Sequence, residues 1–525
     1  MNVSNRLAEA LKKIDVDMAF GMPGGATLPL LEAFEAQGID FVLCRNETSA
    51  GFMADAIFQL TGQVGVCVST LGPGATNLLS GITQSWLERS RVLGLVGQVS
   101  PSILPMYTHQ VIDQKAIFEP VCKGYERLHT HRPEEQIRLT LRNLLQGLSR
   151  PLMLEIAEDV ATAPSKEVPL DSEPCIGTAD THLAQKVFDE AKRPLLLIGS
   201  EDLSIEAAQA IGQLSQQRRI PAFTTYRGKG LVDETSEFSM GSIGLSPVVD
   251  TMAQDLIAKA DCIVAVGLDP VELRPNWLPG WPEKCTFINL SKHGQPDLLC
   301  TMTMDLRGHI PVLCEALIPG RGFQWEGAQL VEHQKRVREY FDDGPHGPAA
   351  MMRALQGLLP EDTILALDVG AHRITASHVW QCRKPRKILQ SNGFSSMGVG
   401  LPMAIAAKLK FPKTCAVALC GDMGLWMALG ELGVVQEREL DLIVIYIADQ
   451  SLSLIELKQE RAGYGGKGVR FDNPNVEELA KAFGGEGHRV ADQKQLESSV
   501  KEALHQGGLH LVELSVDASA YRKQM

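Results

Sequence analysis

Two aspartates, Asp422 and Asp449, stand just beyond two strongly apolar runs, CAVALC (415–420) and LIVIYIA (442–448). Between them lies a helical stretch, GLWMALGELGVVQEREL. Read as strand, helix, strand, this unit sets one carboxylate at the carboxyl end of each of two parallel strands, and a right-handed crossover makes such strands close neighbours. The carboxyl edge is where open α/β sheets bind ligands. Two oxygen ligands there suit one hard cation, and Mg²⁺ suits the site when a phosphate group completes its octahedron. Gly424, near the start of the helix, lets backbone approach an anion at the helix N-terminus. The same aspartates also fit as helix-capping or turn residues.

The elements that must hold these residues recur along the whole chain. VGVCVST (64–70), RVLGLVG (91–97), PLLLIGS (194–200) and CIVAVGL (262–268) are almost continuously apolar, as strands buried on both faces are. Each is followed by a turn and a helical period, the pattern of doubly wound, parallel-sheet α/β domains. Stretches rich in Pro, Ser, Gly and charge at 160–181, around 318–327 and at 342–348 read as linkers. The expected division is a domain at 1–165, a second at 182–318 and a third at 345–518, in keeping with a chain of 525 residues. No direct sequence repeat links the blocks.

Composition narrows the function classes. The formal net charge is −13, which speaks against the clustered basic face of a nucleic-acid binder. The 11 cysteines are scattered singly with no C-x-x-C pair, so neither a disulfide framework nor a structural zinc site is expected. The N-terminus reads as a short amphipathic helix and a strand rather than a signal peptide. No apolar run approaches the ~20 residues that span a bilayer. The expected compartment is the cytoplasm, with no membrane partner.

Taken with other segments, the Asp422–Asp449 unit resembles the thiamine diphosphate motif, a GDG triplet followed at a set distance by paired asparagines. FGMPGGATLPLLEAF (20–34), RNETSAGFMADAIFQLTGQVGVCVSTLGPGATNLLSGI (45–82), DVGAHR (368–373) and SNGFSSMGVGLPMAIAAKLKFP (391–412) resemble the acetolactate synthase branch of the thiamine diphosphate-dependent enzymes. They stand in that family's order across the first and third blocks. The resemblance implies three α/β domains: pyrimidine-binding, central and diphosphate-binding. It implies thiamine diphosphate and Mg²⁺ as cofactors, with Asp422, Asp449 and the carbonyl of Ser451 as metal ligands. Glu47, which alone would read as a helix cap, matches the glutamate that hydrogen-bonds the aminopyrimidine and favours the tautomer able to deprotonate the thiazolium. Met397, otherwise a core methionine, matches the apolar prop that bends the cofactor. The carbonyl of Ser395 matches the acceptor for the 4′-amino group, and His372 a diphosphate contact. Thr70, Asn77, Met423 and Gly424 fall in the cofactor-binding segments. Gly25, in the turn MPGGAT, matches a backbone donor to a substrate oxygen. Gln110 matches a glutamine of the synthases. His109 stands where they often carry Phe, and either shuttles a proton or only shapes the pocket.

The chain departs from the motif at three places. Met423 replaces a glycine, Ala448 replaces the first asparagine, and Asp449 replaces the second with another oxygen ligand. Lys458 stands near a position where the synthases tend to have tryptophan. The segment GLDPVELRPNW (267–277) resembles the flavin-independent branch, so no FAD is expected. The resulting expectation is decarboxylation of a pyruvate-like 2-oxo acid followed by carbon–carbon bond formation with a carbonyl acceptor. A simple 2-oxo acid decarboxylase and a cofactor-binding homologue without turnover are the alternatives. By resemblance the sites lie at a subunit interface, in a homodimer or homotetramer.

Overall fold

The structure is a computed structural model that describes residues 1–170, 177, 179–277, 281–282, 285–294 and 303–524. The expected linker at 160–181 therefore lies partly outside the described residues. Three six-stranded sheets form in chain order. The first contains β1 (Met18–Gly21), β2 (Asp40–Leu43), β3 (Gly65–Ser69), β4 (Val92–Gln98), β5 (Tyr125–Arg127) and β6 (Leu152–Ala157). The second contains β7 (Pro194–Ile198), β8 (Ala222–Thr225), β9 (Ser239–Ile243), β10 (Cys262–Val266), β11 (Thr286–Ser291) and β12 (Met304–Arg307). The third contains β13 (Ile364–Leu367), β14 (Ile388–Leu389), β15 (Ala416–Gly421), β16 (Leu442–Ile447), β17 (Glu486–Val490) and β18 (Leu509–Leu514). Every strand pair in the three sheets is parallel. The central strands β3, β7, β10 and β16 are buried along their whole length, which is why their sequences are apolar without alternation.

The first sheet runs β2-β1-β3-β4-β6-β5 and the third β14-β13-β15-β16-β18-β17, the same order when strands are counted within each block. The second runs β12-β11-β10-β7-β8-β9, the dinucleotide-fold order. The two like sheets meet through equivalent helices. Helix Glu47–Thr61, between β2 and β3, packs on helix Gly400–Lys410, between β14 and β15. Phe52, Met53 and Ala56 share one buried cluster with Met403, Ala404 and Ala407, so the first and third domains have a common core.

Two buried carboxylates fix this contact reciprocally. Glu88 follows helix Pro73–Leu87 and accepts from Ser391 Oγ at 2.9 Å and from the N–H of Gly393 at 2.8 Å, in the loop ahead of helix Gly400–Lys410. Glu431 lies between β15 and β16 and accepts the N–H groups of Arg45 at 3.1 Å and Asn46 at 3.0 Å, directly ahead of helix Glu47–Thr61. The central domain joins through Arg227, whose Nη1 donates to the Glu88 carbonyl at 2.5 Å. Arg386 makes a similar bridge, donating to the carbonyls of Gln59 at 2.7 Å and Leu203 at 2.9 Å.

The single helix expected after Asp422 is broken. Helix Asp422–Ala428 gives way to a 3-10 turn, Leu429–Glu431, and a second helix, Leu432–Glu437. The break turns Glu431 toward the first domain. A Cβ on Gly430 would sit 3.3 Å from the Arg45 Cβ, and one on Gly433 3.0 Å from the Arg45 Nε, so both glycines make room for that residue.

Candidate active site

Strands β15 and β16 are adjacent, with Gly421 opposite Ile447, so Asp422 and Asp449 leave the same sheet edge. Asp422 is buried. Its Oδ1 accepts the Met423 N–H at 2.9 Å, and its Oδ2 accepts the Gln450 N–H at 2.8 Å and Asn473 Nδ2 at 3.2 Å. Asp449 accepts the Ser453 hydroxyl and, at 3.4 Å, the Ser451 N–H. Burial pushes both carboxyls above the usual range, Asp449 to about 6, and the charge of Asp422 adds to the rise at Asp449. Two half-desolvated carboxylates that repel one another are a donor set that a divalent cation stabilises. A cavity of about 540 Å³ opens beside Asp449, lined also by Ser451, Ser453, Arg470 and Tyr521.

His372, in helix Ala371–Val379, lies against this edge. A Cβ on Gly421 would sit 3.4 Å from its Cε1, so the glycine before Asp422 makes room for the ring. Burial, helped by the neighbouring Arg373, depresses its pKa to about 3, leaving the imidazole neutral. Its Nε2 is buried with no hydrogen-bond partner. A buried orphan nitrogen beside a helix N-terminus fits an anionic group such as a diphosphate.

The space left by the glycine at 424 is taken from within. A Cβ there would lie 2.2 Å from Asp368 Oδ2. Asp368 is fully buried at the end of β13, accepts the N–H groups of Val369 at 2.6 Å and Gly398 at 2.9 Å, and is pushed up to about 7 by burial. Gly424 thus serves an internal carboxyl where the sequence suggested close approach by a bound anion. Asp368 stands just past an apolar strand, as Asp422 and Asp449 do, and that shared pattern was the signal for it. Asn473, which holds Asp422 and accepts from Trp426 Nε1 at 3.1 Å, sits far along the chain with no such signal.

The turn before helix Gly400–Lys410 is strained. Ser395 has φ of 55°, a left-handed conformation that costs a non-glycine residue about 1–2 kcal/mol. Its hydroxyl donates to the Asn392 carbonyl at 2.9 Å. Both polar atoms of the Asn392 side chain are buried without partners. The turn thus combines a left-handed serine with a buried amide that has no partner. Met397, half-buried, follows two residues later.

The first-domain group collects around Glu47. This residue opens its helix behind the cap Asn46, is buried, and accepts Asn77 Nδ2 on Oε2 at 3.1 Å. A Cβ on Gly74 would meet the Thr70 Cγ2 at 2.8 Å and Glu47 Oε1 at 3.0 Å, so the LGPG turn lies directly on both side chains. Thr70 also underlies Gly24, whereas Gly25 faces open space. Gln110, at φ of 60°, lays its carbonyl against Gly72, and His109 beside it is exposed and packs edge-on to Tyr107. Within one chain Glu47 lies against Gly74 and bonds Asn77, both of the first domain, and the Asp422 edge belongs to the third. Met423 and Ala448 are half-buried at that edge, and Lys458 is exposed on helix Ser453–Arg461.

Comparison with known proteins decides the family. Three profiles match in order: the thiamine pyrophosphate enzyme N-terminal TPP binding domain at residues 1–117, the central domain at 182–295 and the C-terminal TPP binding domain at 368–514. The chain is 26% identical over 531 residues to the acetolactate synthase isozyme 2 large subunit of Escherichia coli (strain K12), covering 98% of this chain and 96% of that protein. It is 26% identical over 549 residues to an acetolactate synthase of Bacillus subtilis (strain 168), covering 98% and 94%. It is 24% identical over 561 residues to a probable acetolactate synthase large subunit of Methanococcus aeolicus, covering 99% and 93%.

The chain belongs to the thiamine diphosphate-dependent enzymes, in their acetolactate synthase-like branch. Its three parallel sheets are the three domains of that enzyme fold. As such an enzyme it acts on a small-molecule substrate with thiamine diphosphate as cofactor. Among the described residues, no helix is long and apolar enough to cross a membrane.

Proposed function

We propose that this thiamine diphosphate-dependent enzyme uses Mg²⁺ to decarboxylate a pyruvate-like 2-oxo acid and couples the remaining fragment to a second carbonyl compound. The observation that carries the reading is the pairing of Asp422 and Asp449 at one sheet edge with the unpartnered Nε2 of His372 beside them. Asp422, Asp449 and the Ser451 carbonyl would hold the metal, and His372 would meet the diphosphate through Nε2 by taking up a proton as the anion binds. When bound, thiamine diphosphate supplies the nucleophilic carbon and the electron sink for loss of CO₂.

The chain's own residues hold, orient and move protons around it. The Asn77 amide and the LGPG turn fix the Glu47 carboxyl, which would hold or release a proton where the pyrimidine would bind. The Ser395 carbonyl would accept from the amino group of that ring, and Met397 would support its bend. Gly25, open on one side, offers its N–H to a substrate oxygen. Gln110 and His109 face solvent from the segment over the Gly72 turn and would border the second substrate.

By the family resemblance Glu47 of one copy would face the Asp422 edge of a second, and the active unit in this reading is a homodimer or a pair of homodimers. Exposed Leu28, Met106 and Tyr107 on the first domain, and Met427 and Tyr464 on the third, support burial of these faces between copies. The reading includes no flavin, on the resemblance of residues 267–277 to the flavin-independent branch. The crevice at the carboxyl ends of β7 and β10 holds about 140 Å³ and is crossed by Glu201, which accepts the Lys292 N–H at 2.9 Å. The nine described cysteines are free thiols, in keeping with a cytoplasmic enzyme.

The test is incubation with thiamine diphosphate, Mg²⁺ and ¹³C-pyruvate, with products read by NMR. A labelled coupled product such as acetolactate is expected. Acetaldehyde alone would replace carboligation with simple decarboxylation. Bound cofactor with no conversion across a panel of 2-oxo acids would overturn the catalytic reading.

A further inference from the structure

A second group of ligand-type side chains lies on the third sheet, away from Asp422 and Asp449. Strand β17 is the edge strand and pairs in parallel with β18, with Glu486 opposite His510 and His488 opposite Val512. Side chains two apart in a strand share a face, so Glu486, His488 and His510 emerge together. Their ligand atoms all lie within 4.8 Å of one another. Glu486 and His510 sit at the amino-terminal ends of their strands and His488 in the middle of β17, whereas Asp422 and Asp449 follow the carboxyl-terminal ends of β15 and β16. At about 3.3 Å per residue the two groups are on opposite edges of the sheet.

The hydrogen bonds fix the tautomer of His510 that coordination needs. His510 Nε2 lies 3.0 Å from the Gly507 carbonyl, which can only accept, so Nε2 carries the proton and Nδ1 the lone pair. That Nδ1 is 3.0 Å from His488 Nε2, with the rings stacked 5.3 Å apart at 14°. His488 Nε2 is therefore the donor between them, and it would become a ligand atom by the other tautomer, with the ring proton on Nδ1. A backbone carbonyl holding the far nitrogen of a ligating histidine is the usual support for such a site. Tetrahedral zinc–nitrogen bonds of about 2.0–2.1 Å place two ligand nitrogens about 3.3 Å apart, close to the spacing already present.

The surrounding charge has the right sign. Carboxylates of Glu502, Glu486 and Glu477 face His488, and the neighbouring His510 and burial are what oppose its protonation. Glu477 is engaged by Arg489 at 3.3 Å, and Glu502 accepts Gln506 Nε2 at 3.1 Å, which leaves Glu486 as the oxygen ligand. Two imidazoles and one carboxylate select borderline d-block cations, in contrast to the all-oxygen set at Asp422 and Asp449.

We propose that Glu486, His488 and His510 bind one divalent transition-metal cation, of which Zn²⁺ is the representative, and that the cation clips edge strand β17 to β18. Such a clip would hold the edge strand against fraying from its one neighbour. The test uses the full-length protein saturated with thiamine diphosphate and Mg²⁺, so that the oxygen site is filled, and titrated with Zn²⁺ by calorimetry. One equivalent per chain is expected, with a rise in melting temperature. His488→Ala, at a half-buried position, is expected to weaken binding at least about tenfold and to abolish the thermal shift, and Glu486→Gln to weaken it less. Cu²⁺ in place of Zn²⁺ is expected to show coupling to two imidazole nitrogens by electron paramagnetic resonance, and to one in His488→Ala. Absence of binding, or equal affinity in His488→Ala, would overturn the site.

Discussion

At Gly424 a missing side chain lets the helix after β15 close on the Asp368 carboxyl, since a Cβ there would come within 2.2 Å of Oδ2. Gly424→Ala is therefore expected to destabilise the fold by about 1–3 kcal/mol, read as a lower midpoint in urea unfolding. An unchanged midpoint would show that Asp368 moves aside freely. Glu47 belongs to the same scale but to chemistry. Glu47→Gln keeps an acceptor for Asn77 and loses the titrating group. It is expected to bind thiamine diphosphate as the parent does and to lose about 10²–10⁴-fold in kcat, measured by cofactor titration beside steady-state rates. Much of this was legible in the chain. A lone carboxylate past an apolar run identifies Asp422 and Asp449, and it marks Asp368 as well. Asn473 was illegible, because its role follows from meeting Asp422 in space.

Among the elements, the pieces that matter most are the short ones that carry Glu88 and Glu431. Each carboxylate satisfies backbone N–H groups in the segment leading into a helix of the other domain, and hydrogen bonds to a buried charge are worth about 1.5–3 kcal/mol each. Glu431→Ala leaves the N–H groups of Arg45 and Asn46 without their acceptor, one residue from Glu47. It is expected to lower stability by a few kcal/mol, of the order set for an unmet buried group. Glu431→Gln retains an oxygen and is expected to recover most of that loss and of kcat. Turnover and unfolding measured on both variants check this; equal defects in the two would mean that charge, not the acceptor atom, is what the turn requires. The sequence between Asp422 and Asp449 reads as one continuous helix because its periodicity is unbroken. The 3-10 turn at Leu429–Glu431 arises from Arg45 packing on Gly430 and Gly433, a partner that local periodicity does not encode.

For the molecule as a whole, the division into three parallel-sheet blocks was readable because strands buried on both faces have a strong apolar signature. The shared strand order of the first and third sheets was not, since strand order is set by crossover packing that many unrelated sequences satisfy. The docking of the blocks has its own pH dependence. His378 of the third domain is 2.7 Å from the Tyr226 hydroxyl of the central domain, stacks on Phe341, and is held by burial, with Lys229 nearby, at a pKa of about 3. The unfolded histidine titrates near 6.5, so between those values the unfolded chain binds the extra proton. Stability from this residue is full above about 6.5 and is lost as pH falls toward 3, by up to about 1.4 kcal/mol per pH unit. Buried carboxyls such as Glu272, raised to about 7, act with the opposite sign, so the total slope is mixed. The difference between the parent and His378→Gln isolates the histidine: urea unfolding from pH 4.5 to 7 is expected to give a shallower rise with pH in the variant. The reciprocal grip of the two like domains has a further consequence, in the record that selection leaves. Arg45 and Asn46 are read by a carboxylate some 385 positions away, so the fate of each is tied to Glu431, Gly430 and Gly433 and not to its neighbours in the chain. Paired substitution across relatives should be concentrated between these two short segments, and between Glu88 and the loop at 391–394, before it is found within either half.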